Sequence, residues 1–130
     1  MIVIDASALI ESLLGTPSAP AVEMVLFAPG QTLHAPHLLD VEVTQVVRRL
    51  VAHGGVSSER GRAALVQLVD LPLYRYPHGT LLPRIWELRN NLTAYDAAYV
   101  ALAEALNVPL LTRDKRIAGA AGHWAKIDLV

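Results

Sequence analysis

The chain has 130 residues, no cysteine and a formal net charge of −1, and 53% of its residues are hydrophobic. This length predicts a single domain, residues 1–130. The lack of cysteine excludes disulfides, zinc–thiolate sites and thiol nucleophiles, and the charge excludes a global basic field. Because no secretory leader and no apolar stretch of about 18 residues is present, we expect a soluble cytoplasmic protein with no membrane contact.

Short apolar runs alternate with longer segments of helical periodicity along the chain. In chain order they predict strand Met1–Asp5, helices Ser7–Leu14 and Ala19–Phe27, strand Gln31–Ala35, helix His37–Ala52, a helix capped by Ser57 or Ser58 that runs to Val69, strand Leu71–Tyr76, helices Thr80–Asn90 and Ala94–Leu106, strand Pro109–Thr112, a helical turn Asp114–Ala118 and strand Lys126–Leu129. Gly15 and Gly54-Gly55 supply helix stops, and Thr93 supplies a cap. Strands separated by helices indicate βαβ units, so the predicted fold class is α/β with a mainly parallel sheet.

Two acids stand directly at the ends of predicted strands. Asp5 ends the run Ile2-Val3-Ile4, and Asp114 follows the run Pro109-Leu110-Leu111-Thr112. In open parallel sheets, ligands bind beyond the carboxyl ends of the strands, where the strand order reverses. If these two strands are neighbours, both acids lie at such a point.

Two further acids lie in unusually apolar surroundings. Glu42 lies beside the apolar stripe of its helix, and Asp96 lies within Tyr95-Asp96-Ala97-Ala98-Tyr99. A carboxylate that faces apolar neighbours is unfavourable unless it is paired or binds a metal. Taken singly, each of the four acids also has a simpler interpretation as a helix cap or as a helix-start residue.

The residue types indicate which ion such a cluster would bind. Oxygen ligands without His or Cys are typical of sites for hard divalent cations, here Mg²⁺ or Mn²⁺. Magnesium combines a few carboxylates with water and substrate phosphate oxygens, an arrangement typical of phosphodiester chemistry. The four acids together therefore favour a metal site.

The same segments resemble a known family. Ile4-Asp5-Ala6-Ser7-Ala8, the Glu42 helix, the segment from Tyr95 to Ala103 and Leu111-Thr112-Arg113-Asp114 occur in the order found in PIN-domain ribonucleases. The chain most resembles the VapC-type toxins of toxin–antitoxin pairs, over essentially its whole length. The resemblance implies a three-layer α/β/α sandwich with strand order 3-2-1-4-5.

The resemblance also implies roles for individual residues. The four acids of the family match Asp5, Glu42, Asp96 and Asp114, which would bind the metal and carry catalysis. Its hydroxyl positions match Ser7 and Thr112. One departure concerns the position a helical turn after Glu42, where the family often has Asn and this chain has Gln45.

The implied function is a Mg²⁺- or Mn²⁺-dependent endoribonuclease that uses metal-activated water to cut RNA, tRNA or rRNA being the expected targets, and so inhibits translation. A VapB-like antitoxin would silence it by entering the acidic cleft. We also expect a homodimer, because the apolar composition leaves surface for association.

The remaining arginines and tyrosines each have two interpretations, and the histidines have one. Arg113 and Arg116 could contact RNA phosphates or pair with nearby acids. The five histidines show no metal-ligand spacing, and a catalytic role for any of them is not expected. For Tyr95 and Tyr99 we favour core or dimer packing over a place in the cleft.

Other functions compete with the nuclease. A phosphatase with Asp5 as nucleophile usually needs a second Asp two residues later, where this chain has Ser7. A receiver-like module needs a Lys near the acids, and Lys115 is the only nearby candidate. A binding-only PIN-like module is a third alternative, which the four intact acids argue against.

Overall fold

Five strands form one sheet in the computed structural model, which describes all residues from Met1 to Val130. The strands are β1 (Ile2–Ile4), β2 (Leu33–Pro36), β3 (Leu73–Tyr76), β4 (Leu110–Thr112) and β5 (Ile127–Leu129). Their order is β3-β2-β1-β4-β5, and every neighbouring pair is parallel. The predicted fold class and the strand order implied by the resemblance are confirmed.

Seven α-helices connect the strands. They are α1 (Ala6–Leu14), α2 (Ala19–Leu26), α3 (Leu38–Ala52), α4 (Ser58–Asp70), α5 (Leu82–Glu87), α6 (Ala94–Leu106) and α7 (Lys115–Gly119), with a 3₁₀ turn at Gly79–Leu81 before α5. The chain moves from β1 through β2 to β3 in one direction and returns to β4 and β5 in the other. Right-handed crossovers therefore place α1–α4 on one face of the sheet and α5–α7 on the other.

The central strands explain why the chain is so apolar. Every residue of β1, β2 and β4 is buried, as expected for a parallel sheet covered on both faces. The core is a single cluster of 31 buried residues. Helix α6 contributes an unbroken buried run from Ala97 to Glu104, because it packs against β1, β2 and β4. No helix is both long and apolar enough to cross a membrane.

Helix ends follow the local signals in the sequence. Gly15 ends α1 with a left-handed backbone, at φ 63°, where a residue without Cβ is least strained. The Ser57 and Thr93 side chains accept hydrogen bonds from backbone amides in the first turns of α4 and α6. These caps fix where both helices begin.

The predicted helix Thr80–Asn90 was wrong in extent. The segment begins with the 3₁₀ turn Gly79–Leu81, and α5 covers only Leu82–Glu87. Beyond α5 the carbonyl of Leu88 accepts the amides of both Asn91 and Leu92, so the chain turns toward α6. Strands β2 and β3 also begin two residues later than predicted, at Leu33 and Leu73.

Candidate active site

Asp5 lies at the carboxyl end of β1 and is almost entirely buried. Its Oδ1 accepts the amide of Ala8 at 3.0 Å, which caps α1, and the hydroxyl of Ser7 at 2.7 Å. Its Oδ2 accepts a short hydrogen bond from the hydroxyl of Thr112 at the end of β4. The cap interpretation of Asp5 is therefore correct, but capping uses only part of its hydrogen-bonding capacity.

Ser7 and Thr112 join the two strand ends. The Ser7 hydroxyl oxygen accepts the amide of Arg113 at 3.0 Å, and the Thr112 hydroxyl oxygen accepts the amide of Asp114 at 3.0 Å. The two hydroxyl oxygens are 3.3 Å apart. This network fixes the backbone after β4, and with it the place from which Asp114 extends.

Asp114 and Asp96 share a cationic neighbour. Asp114 caps α7 by accepting the amide of Arg116 at 2.9 Å. The Arg116 guanidinium also binds Asp114, with Nη2 at 2.6 Å from its Oδ2, and the same nitrogen is 3.9 Å from Oδ2 of Asp96. Asp96 lies in the first turn of α6, so these contacts bring the start of α6 beside the end of β4.

Glu42 extends toward the other three acids from the second turn of α3. It is partly buried, and its Oε1 accepts a hydrogen bond of 2.6 Å from the hydroxyl of Tyr99 on α6. Tyr99 is only 1% exposed. The four predicted acids thus come from four different segments and gather at the carboxyl end of the sheet.

The acids affect one another's ionisation. Burial raises the pKa of Asp5, Glu42 and Asp96 above their ordinary values. Neighbouring carboxylates raise them further: Asp96 acts on Asp5 and Glu42, and Asp114 acts on Asp96. The pKa of Asp114 is lowered instead, mainly by its hydrogen bond from Arg116. An added cation would therefore stabilise the charged form of the first three acids.

The donor set fits a hard divalent cation, since it consists of carboxylates and hydroxyls alone. In the present side-chain arrangement, however, no three Asp, Glu or His side chains have the geometry of a metal site. The guanidinium of Arg116 occupies the carboxylate of Asp114. Metal binding would therefore require side-chain rotation, most readily of the exposed Arg116.

A model of the PIN domain family matches residues 2–122 of the chain. Ribonuclease VapC12 of Mycobacterium tuberculosis is 45% identical over 130 residues, which cover 100% of this chain and 99% of that protein. The chain belongs to the PIN-domain family, in its VapC branch. Ribonuclease VapC1 of the same organism is 46% identical over 129 residues, covering 98% of this chain and 96% of that protein.

Solved structures share the fold of this VapC-type domain. VapC20 of Mycobacterium tuberculosis, described as a sarcin–ricin loop cleaving toxin, has a TM-score of 0.73 at 13% identity, covering 95% of this chain and 97% of that one. PAE2754 from Pyrobaculum aerophilum has a TM-score of 0.72 at 24% identity, covering 99% and 83%. VapBC2 from Rickettsia felis, solved with a DNA fragment from its promoter, has a TM-score of 0.70 at 13% identity, covering 99% and 98%.

The other singled-out residues of this VapC-type chain lie around or away from the acids. Arg113 points to a different partner: its Nε is 3.4 Å from Glu11, and its Nη1 donates to the carbonyl of Val130. Gln45 is exposed. His34 bonds to Tyr76 and Thr32, and no histidine hydrogen-bonds to the four acids.

Sequence reasoning missed the part played by Tyr99. Packing was the favoured interpretation, and the side chain is indeed a large member of the core. Its hydroxyl nevertheless meets Glu42, 57 positions away in the chain. A signal was available, because Tyr99 follows Asp96 by three residues and therefore shares its helix face.

Proposed function

We propose that the protein is a Mg²⁺- or Mn²⁺-dependent endoribonuclease that cuts RNA and thereby inhibits translation. The observation that carries this proposal is the gathering of Asp5, Glu42, Asp96 and Asp114 at the carboxyl end of a parallel sheet. Three of these acids have raised pKa values there. The names of the VapC ribonucleases that resemble the chain over its whole length add independent support.

A bound divalent cation supplies Lewis acidity that activates water and stabilises the leaving oxygen of a phosphodiester. Within this chain, Asp5, Asp96 and Asp114 are the proposed direct ligands, and Glu42 binds directly or through water. Ser7 and Thr112 hold Asp5 by donating to its two oxygens. These hydrogen bonds fix the orientation of the most buried acid before substrate arrives.

Arg113 and Arg116 are the proposed RNA contacts, and they differ in how free their side chains are. Arg113 is already paired with Glu11. Arg116 is 78% exposed at its side chain, so a cation that displaced it from Asp114 would free its guanidinium for an RNA phosphate.

A VapB-like antitoxin is the proposed inhibitor. One solved neighbour of the same fold is a VapBC complex. The contacts of Arg116 with Asp114 and Asp96 indicate that a guanidinium fits among these carboxylates. An antitoxin arginine inserted at the same place would neutralise the acids without metal. The cytoplasm, where the RNA targets and such a partner occur together, is the proposed compartment.

A homodimer is also proposed, through an apolar patch formed by Leu82, Trp86 and Tyr95. Their side chains are 56%, 67% and 66% exposed, and Leu82 and Trp86 line one hollow of about 400 Å³. Exposed apolar side chains grouped in this way are typical of association surfaces. Trp86→Glu should shift the mass measured by light scattering from dimer to monomer; an unchanged mass counts against this patch.

Cleavage of total tRNA and rRNA tests the activity directly. We expect wild-type protein to cut RNA with Mn²⁺ and to lose activity in EDTA. Asp5→Asn should reduce cleavage by more than about 100-fold, since even residues that only support metal ligands are worth about 10- to 100-fold. Equal cutting by wild type and Asp5→Asn would contradict the assigned site.

The same assay separates the competing functions. Release of phosphate from small monoesters, with RNA left whole, would favour the phosphatase. RNA binding without cleavage would favour the binding-only module. The receiver-like module has little support, because Lys115 forms no salt bridge with the acids while Arg116 does.

A further inference from the structure

The side chain of Tyr99 has one polar atom, its hydroxyl oxygen, and this atom contacts Glu42 of the proposed metal site. The side chain is 1% exposed on α6, and its hydroxyl donates to Oε1 of Glu42 at 2.6 Å. A hydroxyl buried to this degree needs a partner, because leaving it without one is unfavourable. The partner here lies on another helix, α3, and is a carboxylate.

The carboxylate of Glu42 is held by fewer hydrogen bonds than those of Asp5 and Asp114. Asp5 accepts hydrogen bonds from two hydroxyls and one amide, and Asp114 accepts an amide and a guanidinium. The side chain of Glu42 has one hydrogen bond, from Tyr99. It is also the longest of the four acids, with the most rotamers to restrict.

Two charges oppose the position that Glu42 adopts. Asp96 and Asp5 are near enough to disfavour its ionised form, and like charges would drive a free carboxylate toward solvent. The Tyr99 hydroxyl acts in the opposite direction. Since Asp96 and Tyr99 share one face of α6, the same helix supplies an acid of the site and the donor that brings a second acid to it.

We infer that Tyr99 is a positioning residue, whose hydroxyl holds the Glu42 carboxylate inside the acid cluster for a divalent cation. The inference rests on the proposed function. A tyrosine that served the core alone would affect stability when altered, and would leave metal affinity unchanged.

Tyr99→Phe removes the hydroxyl and keeps the ring in the core. We expect Mn²⁺ affinity, measured by calorimetry, to fall about 10-fold, the lower end of the range for residues that orient metal ligands. At a fixed, subsaturating Mn²⁺ concentration, kcat for RNA cleavage should fall while KM for RNA stays unchanged, because the buried hydroxyl cannot touch RNA. Unchanged Mn²⁺ affinity overturns the inference.

Two other tyrosines are matched controls. Tyr95 lies one turn earlier on α6, 66% exposed, and Tyr95→Phe should leave Mn²⁺ affinity unchanged. Tyr76 bonds its hydroxyl to His34 at 2.7 Å, away from the acids. Tyr76→Phe should lower the melting temperature without changing Mn²⁺ affinity. If Tyr76→Phe weakens Mn²⁺ binding as much as Tyr99→Phe does, the effect is a general loss of rigidity and the inference fails.

A double-mutant cycle separates positioning from stability. In a Glu42→Ala background, Tyr99→Phe should cause no further loss of Mn²⁺ affinity, and an additive loss overturns the inference. Glu42→Asp keeps the negative charge, but its side chain is too short to reach the Tyr99 hydroxyl. This variant removes the contact without changing Tyr99, so it tests the inference even if Tyr99→Phe does not fold. Wild-type affinity in Glu42→Asp likewise overturns it.

Asp5→Asn distinguishes this inference from the function on which it rests. Retained Mn²⁺ binding in Asp5→Asn means that the proposed metal site has failed. Lost binding in Asp5→Asn with full binding in Tyr99→Phe means that only the role of Tyr99 has failed.

Discussion

The guanidinium of Arg116 binds the carboxylate of Asp114 through two hydrogen bonds, of 3.1 Å from Nε and 2.6 Å from Nη2. Arg116 thus competes with any added cation for the same oxygens. We predict that Arg116→Ala binds Mn²⁺ a few-fold more tightly than wild type by calorimetry, a modest gain because the arginine is exposed and its ion pair is screened by water.

Arg48→Ala is the control for this effect, since Arg48 is also an exposed arginine and forms no salt bridge. Unchanged or weaker Mn²⁺ affinity in Arg116→Ala would show that the pair does not obstruct the site. A rise in KM for RNA in the same variant would indicate that the freed guanidinium contacts a phosphate.

The raised pKa of Asp96 predicts how stability depends on pH. A folded state with raised carboxyl pKa values binds more protons than the unfolded chain, so its stability falls as pH rises above the ordinary value, 3.8 for Asp. We expect Asp96→Asn to be more stable than wild type at pH 7 in EDTA. The gain should disappear at pH values below 3.8, where the unfolded Asp is protonated too.

Asp114→Asn should have the opposite sign. Arg116 lowers the pKa of Asp114, so its carboxylate adds stability above the ordinary pKa, and that stability is lost as pH falls through the lowered value. Urea unfolding of both variants from pH 3 to 8 checks the pair. Equal effects of the two substitutions at pH 7 would contradict the electrostatic account.

Arg84 and Glu104 form the most buried ion pair of the chain. The Glu104 side chain is 2% exposed, and both of its oxygens accept from Arg84, at 3.1 and 3.0 Å. Arg84→Ala leaves this carboxylate buried and unpaired, which we expect to lower the free energy of unfolding by about 3 kcal/mol. Arg89 is exposed and stacks on the ring of Trp86. Arg89→Ala should therefore lower the free energy of unfolding by less than about 1 kcal/mol.

Replacing Glu104 as well tests the cause of that loss. In Arg84→Ala, Glu104→Gln should restore part of the stability, because no unpaired charge stays buried. If the second substitution restores no stability, the loss comes instead from the packing of Arg84 on Trp124, where the guanidinium carbon lies 4.6 Å from the ring centroid.

Gly61 permits the close approach of α4 to α3. A Cβ at this position would lie 2.9 Å from methyl groups of both Val47 and Val51, and valine side chains have little rotamer freedom in helices. We predict that Gly61→Ala lowers the free energy of unfolding by about 1–2 kcal/mol in urea. Gly55→Ala, whose nearest atom would be at 3.6 Å, is the matched control and should be nearly neutral.

The sequence predicted the layout of the site better than its contacts. Asp5 and Asp114 could be placed because strand ends of a parallel sheet meet at one edge. The hydrogen bond between Tyr99 and Glu42 could not be predicted. Helical periodicity indicates which residues share one face of a helix, but it does not indicate which side chain of another helix they contact. The predicted helix was longer than α5 because leucine has a high helix propensity, which extended the prediction through Leu88. In the structure the Leu88 carbonyl accepts hydrogen bonds within a turn that follows α5.

The hydrogen bond from Thr112 to Asp5 joins residues 107 positions apart. Strand β1 is synthesised well before its neighbour β4, and pairings this distant in sequence form slowly. A growing polypeptide therefore carries Asp5 without Thr112, one of the three groups that orient its carboxylate. For a protein proposed to cut RNA, the acid cluster therefore cannot be complete until β4 has left the ribosome.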